Sequence, residues 1–157
     1  MLLIVWHSRT GASRALAEAA KVGAGEGARL IAASDTAPDD LLAAQGYLFV
    51  CPENLATMSG AMKEMFDRSY YPVLGQIEGR PYASIIAAGS DGSGAQRQLD
   101  RIATGWRLRR VAEPMVVSTK AQTPEEIMAP KLVPPAILNL AQELGESLAT
   151  GLAMGVF

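Results

Sequence analysis

The chain has 157 residues, 49% of them apolar, with 14 Lys+Arg against 16 Asp+Glu for a net charge of −2. That length holds one good core and not two ordinary domains, so one folded unit over residues 1–157 is expected. The even charge balance offers no basic patch for nucleic acid, no stretch is long and apolar enough to enter a membrane, and the one cysteine, Cys51, has no disulfide partner.

The opening MLLIV lacks a basic leader and a small-residue cleavage site, so it reads as a strand, and a cytoplasmic protein is expected. This apolar run stops at a glycine among hydroxyls, Ser8-Arg9-Thr10-Gly11-Ala12-Ser13, and the strong helix formers of residues 14–21 follow. Glycines at 23, 25 and 27 break that helix before a second strand at 28–33. Residues 35–45 read as a short helix with Pro38 near its first turn and Asp39 and Asp40 at its positive end. A third strand at 46–51 is continuously apolar, as in a strand covered on both faces, and Pro52 is expected to end it. Residues 59–70 place Met58, Met62, Met65 and Phe66 on one stripe, which predicts a third amphipathic helix.

A fourth buried strand at 82–88 leads into a glycine-rich loop, then a helix at about 95–104, then a fifth strand within 109–117. Residues 118–135 form a long proline-bearing connection, and residues 136–154 form a last amphipathic helix. Strands alternating with helices predict a parallel sheet with helices on both faces, whose ligands bind beyond the carboxyl ends of the strands. Three loops meet at that edge, after the first, third and fourth strands, and they are rich in glycine and hydroxyls.

The first loop has the makings of a phosphate seat. Helix N-terminal amides lack internal partners and carry partial positive charge, the hydroxyls of Ser8, Thr10 and Ser13 add donors, and Gly11 lets backbone approach an anion. The same residues also suit a plain helix cap and turn. The pattern hydroxyl-x-Thr-Gly-x-hydroxyl resembles the phosphate loop of the flavodoxin family, placed as that family places it. The resemblance implies an α/β, doubly wound, five-stranded parallel sheet of order 2-1-3-4-5, with FMN at the point where strand order reverses. Ser8, Arg9, Thr10, Gly11, Ala12 and Ser13 are then expected to hold the phosphate.

The second loop, Pro52-Glu53-Asn54-Leu55-Ala56-Thr57-Met58, resembles the segment of NAD(P)H-dependent FMN reductases and their quinone-reductase relatives that passes the flavin edge. Lys63-Glu64-Met65-Phe66-Asp67-Arg68 is similar to the Leu-Lys-x-x-Leu-Asp-Arg pattern of that family. The resemblance implies that the amides of this loop bond the pyrimidine edge while Leu55 and Met58 lie on the ring, although Met58 also suits the core stripe of the following helix. A Tyr-Asn pair common in these reductases is replaced here by Glu53-Asn54. Gly89, Ser90, Asp91, Gly92 and Gly94 of the third loop are expected to complete the ring site.

Neither ring-side loop contains an aromatic residue, whereas electron-carrier flavodoxins sandwich the ring with aromatics and carry strongly acidic surfaces. A reductase with one ring face open to a nicotinamide is therefore expected, with FMN bound, NADH or NADPH as reductant, and a small quinone or flavin as acceptor. The alternatives are a flavodoxin-type electron carrier and a flavodoxin-like domain without ligand. No acid, base or nucleophile is demanded of the protein, because the flavin carries the chemistry. The chain lacks a serine-histidine-acid set, and His7 has no metal co-ligands in sequence; beside the loop it suits contact with the phosphate or ribityl chain, and filling the strand end is its simpler role. Glu53 and Asp91 read as solvated loop acids. A Gly-Lys-Ser/Thr nucleotide loop and the acidic pair of receiver domains are both missing.

Arg97, Arg101, Arg107, Arg109 and Arg110 around Trp106 form a basic concentration that suits either a 2′-phosphate of NADPH or a charged strand edge. The family resemblance also implies a homodimer or homotetramer, with Tyr70, Tyr71, Trp106 or residues 118–135 as candidate surfaces.

Overall fold

The computed structural model describes residues 1–157. Its centre is a parallel sheet of β1 (Leu2–Trp6), β2 (Ala28–Ala32), β3 (Gly46–Asn54) and β5 (Pro81–Ala88), with β4 (Thr57–Met58) forming a hairpin on the end of β3. Strand order is β2-β1-β3-β5, and the outer edge is taken by β6 (Arg109–Arg110) and β7 (Met115–Ser118), both parallel to β5. This is the doubly wound order expected, with the edge strand in two pieces. Between the pairs Tyr82↔Arg110 and Ile85↔Met115 the edge strand carries two residues more than β5. Pro114, which has no N–H to give the ladder, lies in that excess.

The alternation of side chains along each strand builds two cores. Leu3, Val5, Tyr47, Phe49, Cys51 and Ile86 face α2 (Pro38–Ala43), α3 (Gly60–Val73) and α4 (Ser93–Gly105), meeting Leu41, Met62, Phe66, Leu99 and Trp106. Leu2, Ile4, Leu48, Val50, Ala83 and Ile85 face α1 (Ala12–Ala24) and α6 (Pro135–Met154), meeting Leu16, Ala20, Ala141 and Leu148. The two helices cross closely because Gly145 has no side chain: a Cβ there would lie 2.0 Å from Ala20 O.

Several boundaries differ from expectation. Pro52 does not end β3. Val50 O accepts from His7 N–H on the β1 side, so two residues on Pro52 faces that side again, beyond the last paired residue of β1, where no ladder donor is needed. The helix expected at 35–45 is confined to Pro38–Ala43. Its C-terminal carbonyls are taken by Arg80, whose guanidinium donates to Leu41 O at 3.0 Å and Leu42 O at 2.8 Å. Pro72 stands in the last turn of α3. The connection 118–135 contains a short helix, α5 (Pro124–Met128), started by a reciprocal Thr123/Glu126 capping box.

Candidate functional site

At the carboxyl end of the sheet lies a cleft of about 330 Å³ lined by 19 residues. Its first wall is Ser8, Arg9, Thr10, Ala12 and Ser13, its second Pro52, Glu53, Asn54, Leu55 and Ala56, and its third Gly89 and Ser90 with the end of β5. A fourth wall comes from the connection after β7: Thr119, Ala121, Gln122, Ile127 and Lys131. Sequence reasoning missed this wall, having treated residues 118–135 as a connection and a possible subunit surface. It reaches the cleft because Thr119 N–H donates to Ala88 O at 2.7 Å, Gln122 Nε2 to Gly89 O at 3.1 Å, and Lys131 N–H to Thr10 O at 2.8 Å.

The first wall has the chemistry of an anion seat. Gly11, with φ +106°, ends the loop in the left-handed region, and no side chain caps the N-terminus of α1. Ser13 in the first turn is 1% exposed, and its hydroxyl has no hydrogen-bond partner. A buried hydroxyl without a partner is costly, and an anion at the helix N-terminus is the partner this one lacks. Ser8 Oγ accepts from Gly11 N–H at 3.0 Å and shapes the loop. Arg9 is exposed and forms no ion pair, so its charge is free for the same anion, whereas the Lys131 ammonium is spent on carbonyls at the end of α5, Ile127 O at 3.0 Å among them. These features fit the phosphate of FMN.

The N-terminus of α4 contributes no residue to the cleft lining and is closed from within the fold. The Glu53 carboxylate accepts from Gly92 N–H and from Ala95 N–H, both at 3.0 Å. Glu53 is therefore a cap, not the solvated acid expected; sequence distance hid it, since its partners lie some forty residues on. Met58 is also placed otherwise than on a ring. It is 2% exposed within the α3 core, and its N–H donates to Gln98 Oε1 at 2.9 Å. The simpler reading of Met58 as the start of the helical stripe holds. Leu55 is 98% exposed at the hairpin tip on the cleft wall. Thr57, Asp91, Gly92 and Gly94 do not line the cleft, and Asp91 accepts from the Ser93 hydroxyl.

His7 sits beside the seat with Nδ1 2.9 Å from Ser59 Oγ, and burial holds its pKa below the usual value. It fills the strand end. Cys51 is wholly buried and its thiol is pushed up to about 12, which leaves it unreactive. Trp106 is 0% exposed, stacked on Tyr70 with Nε1 donating to Tyr70 O, so its ring is committed to the core and unable to reach a second subunit. The register of β6 with Pro81 and Tyr82 puts Arg109 and Arg110 at the opposite end of the sheet from the cleft. Arg110 pairs with Asp100 and Arg107 with Glu78. This corrects the 2′-phosphate reading of these arginines in favour of a charged strand edge.

Sheet order, flanking helices and an anion seat at the reversal of strand order define an α/β protein of the flavodoxin-like fold. A sequence model of NADPH-dependent FMN reductase matches residues 32–123, and the chain belongs to that family. The chain is 29% identical over 97 residues to a flavodoxin of Aquifex aeolicus (strain VF5), a match over 59% of this chain and 52%, about half, of that relative. Among solved structures, a flavodoxin from the domain Archaea superposes with TM-score 0.76 at 17% identity, over 95% of this chain and 96% of that one. A WrbA-like flavodoxin from Agrobacterium tumefaciens superposes with TM-score 0.68 at 20% identity, over 95% and 94%. The flavodiiron protein of Giardia intestinalis does so with TM-score 0.75 at 15% identity, over 95% of this chain and 35% of that one. No helix is long and apolar enough to cross a membrane.

Proposed function

We propose that the protein is an FMN-dependent oxidoreductase that takes hydride from NADH or NADPH and passes electrons to a small acceptor, a quinone or a free flavin. The observation that carries this reading is the composition of the cleft: none of its lining residues is aromatic. A ring held there has no aromatic cover, and one face stays open to a second planar molecule. When bound, FMN supplies the hydride and electron chemistry. The chain's residues bind and orient it. The loop Ser8 to Ser13 takes the phosphate through the α1 amides and the Ser13 hydroxyl, with Arg9 adding charge. Pro52 to Ala56 and Gly89 to Ser90 flank the ring, with Leu55 supplying apolar contact, and Ile127 faces them from the fourth wall.

Family membership supports the reaction class. The likeness to a flavodoxin of Aquifex aeolicus favours a second reading, an electron carrier without its own nicotinamide reaction. One experiment separates them. The purified chain is loaded with FMN, freed of excess, and mixed anaerobically with NADPH or NADH while the visible flavin bands are followed. Bleaching, with return of colour on adding a quinone, is the outcome expected. Retained bands that neither nicotinamide bleaches would establish the carrier reading instead. Leu55 and Leu132, both 98% exposed on or beside the cleft, support a homodimer or homotetramer that covers the mouth, which sedimentation of the loaded protein tests.

A further inference from the structure

One carboxylate joins two walls of the cleft. The bonds from Gly92 N–H and Ala95 N–H to Glu53 tie the β3–β4 hairpin to the start of α4, whose first amides have no partner inside the helix. The junction is tied twice more. Gln98 Oε1 accepts from Met58 N–H, and Gly94 approaches so closely that a Cβ there would lie 2.1 Å from Ala56 O. Gly92 turns the chain into α4 with φ +74°.

We propose that Glu53 is a positioning residue whose carboxylate, held at the N-terminus of α4, fixes the hairpin and the loop 89–94 as one preformed wall for the ring of the flavin. The proposal rests on the FMN reading above. Each helix N-terminus attracts anions, and only that of α1 lines the cleft. The Glu53 carboxylate gives α4 its negative charge within the fold, while α1 keeps on the cleft an N-terminus with an unpartnered Ser13 hydroxyl. Preforming the wall also spares binding the entropy of ordering two loops.

The test uses the wild-type chain with Glu53→Gln, which keeps the shape but loses one of the two bonds, and Glu53→Ala, which loses both. Each is titrated with FMN, with riboflavin, which has no phosphate, and with inorganic phosphate, while the amide resonances of Ala12, Ser13, Gly92 and Ala95 are followed. In the flavin-free variants Gly92 and Ala95 should lose protection from hydrogen exchange. Riboflavin should bind about tenfold more weakly to Glu53→Gln, as one lost hydrogen bond to a charged acceptor implies. Inorganic phosphate should move the Ala12 and Ser13 amides in all three proteins, because the clamp leaves the α1 N-terminus untouched. Full exchange protection in Glu53→Ala would overturn the clamp irrespective of any ligand. Wild-type affinity for riboflavin and FMN in both variants would overturn it while leaving flavin binding standing. A wild-type chain that binds no FMN would overturn the flavin reading, and with it the task assigned to this wall.

Discussion

On the proposed FMN reading, Ser13 has opposite effects in the flavin-free and the flavin-bound protein. With no partner, its buried hydroxyl costs stability; with a phosphate at the α1 N-terminus, it makes a hydrogen bond to a charged acceptor. Ser13→Ala should therefore raise the melting temperature of the flavin-free chain, relieving about 1 kcal/mol or more, and weaken FMN by about 1.5–3 kcal/mol. Calorimetry and fluorescence titration read the two effects, and a loss of stability in the empty variant would contradict the account. His7 sets a pH dependence. Its folded pKa lies below the usual 6.5, so between the two values the unfolded chain binds the extra proton. Its contribution is whole above about pH 6.5 and is lost as pH falls toward the folded value. Melting temperature should drop from pH 7.5 to 5.5, and His7→Gln should flatten that slope. Equal slopes in both proteins would show that another group is responsible.

The β3–β4 hairpin is where the local rules are broken. A two-residue turn joins Asn54 to Thr57, and its central residues Leu55 and Ala56 hold φ of 51° and 62°. Such turns ordinarily use Asn-Gly, and left-handed backbone costs an L-residue about 1–2 kcal/mol. Leu-Ala carries none of that turn chemistry, which is why the hairpin was not legible in the sequence, and Pro52 pointed to a strand end besides. Both strained residues line the cleft, Leu55 with an exposed apolar side chain, and strain retained at such a place accords with a binding role. Replacing the pair together, Leu55→Asn with Ala56→Gly, should stabilise the flavin-free protein by about 1–2 kcal/mol while weakening riboflavin, because the apolar contact goes. Denaturant midpoints and riboflavin titration would show both. Stronger riboflavin binding in the double variant would deny Leu55 any part in holding the ring.

At the scale of the whole molecule, the sequence revealed what repeats and concealed what is long-range. Leu2 and Ile4 serve one core and Leu3 and Val5 the other, so the strands read as continuous apolar runs, and those runs with helices between them were enough to read the doubly wound sheet. The hydroxyls around Gly11 lie within one loop and were legible for the same reason. The fourth wall was not, because the bond between Lys131 N–H and Thr10 O spans most of the chain and involves only backbone. The proposed division of the cleft into an anion seat on α1 and an open ring region has a consequence for the stability of the entire fold. A ligand that binds only the folded state at one hundred times its Kd adds about 2.7 kcal/mol. In a chain of 157 residues, where each kcal/mol moves the melting temperature by about 2–4 °C, FMN should raise it by about 5–11 °C. Riboflavin at the same concentration should give a clearly smaller shift, since it leaves the seat between Gly11 and Ser13 unfilled. Inorganic phosphate should reduce the FMN shift and leave that of riboflavin unchanged, because it competes for the seat alone. Equal shifts from FMN and riboflavin would mean that the phosphate contributes nothing, and the assignment of the α1 N-terminus would fall.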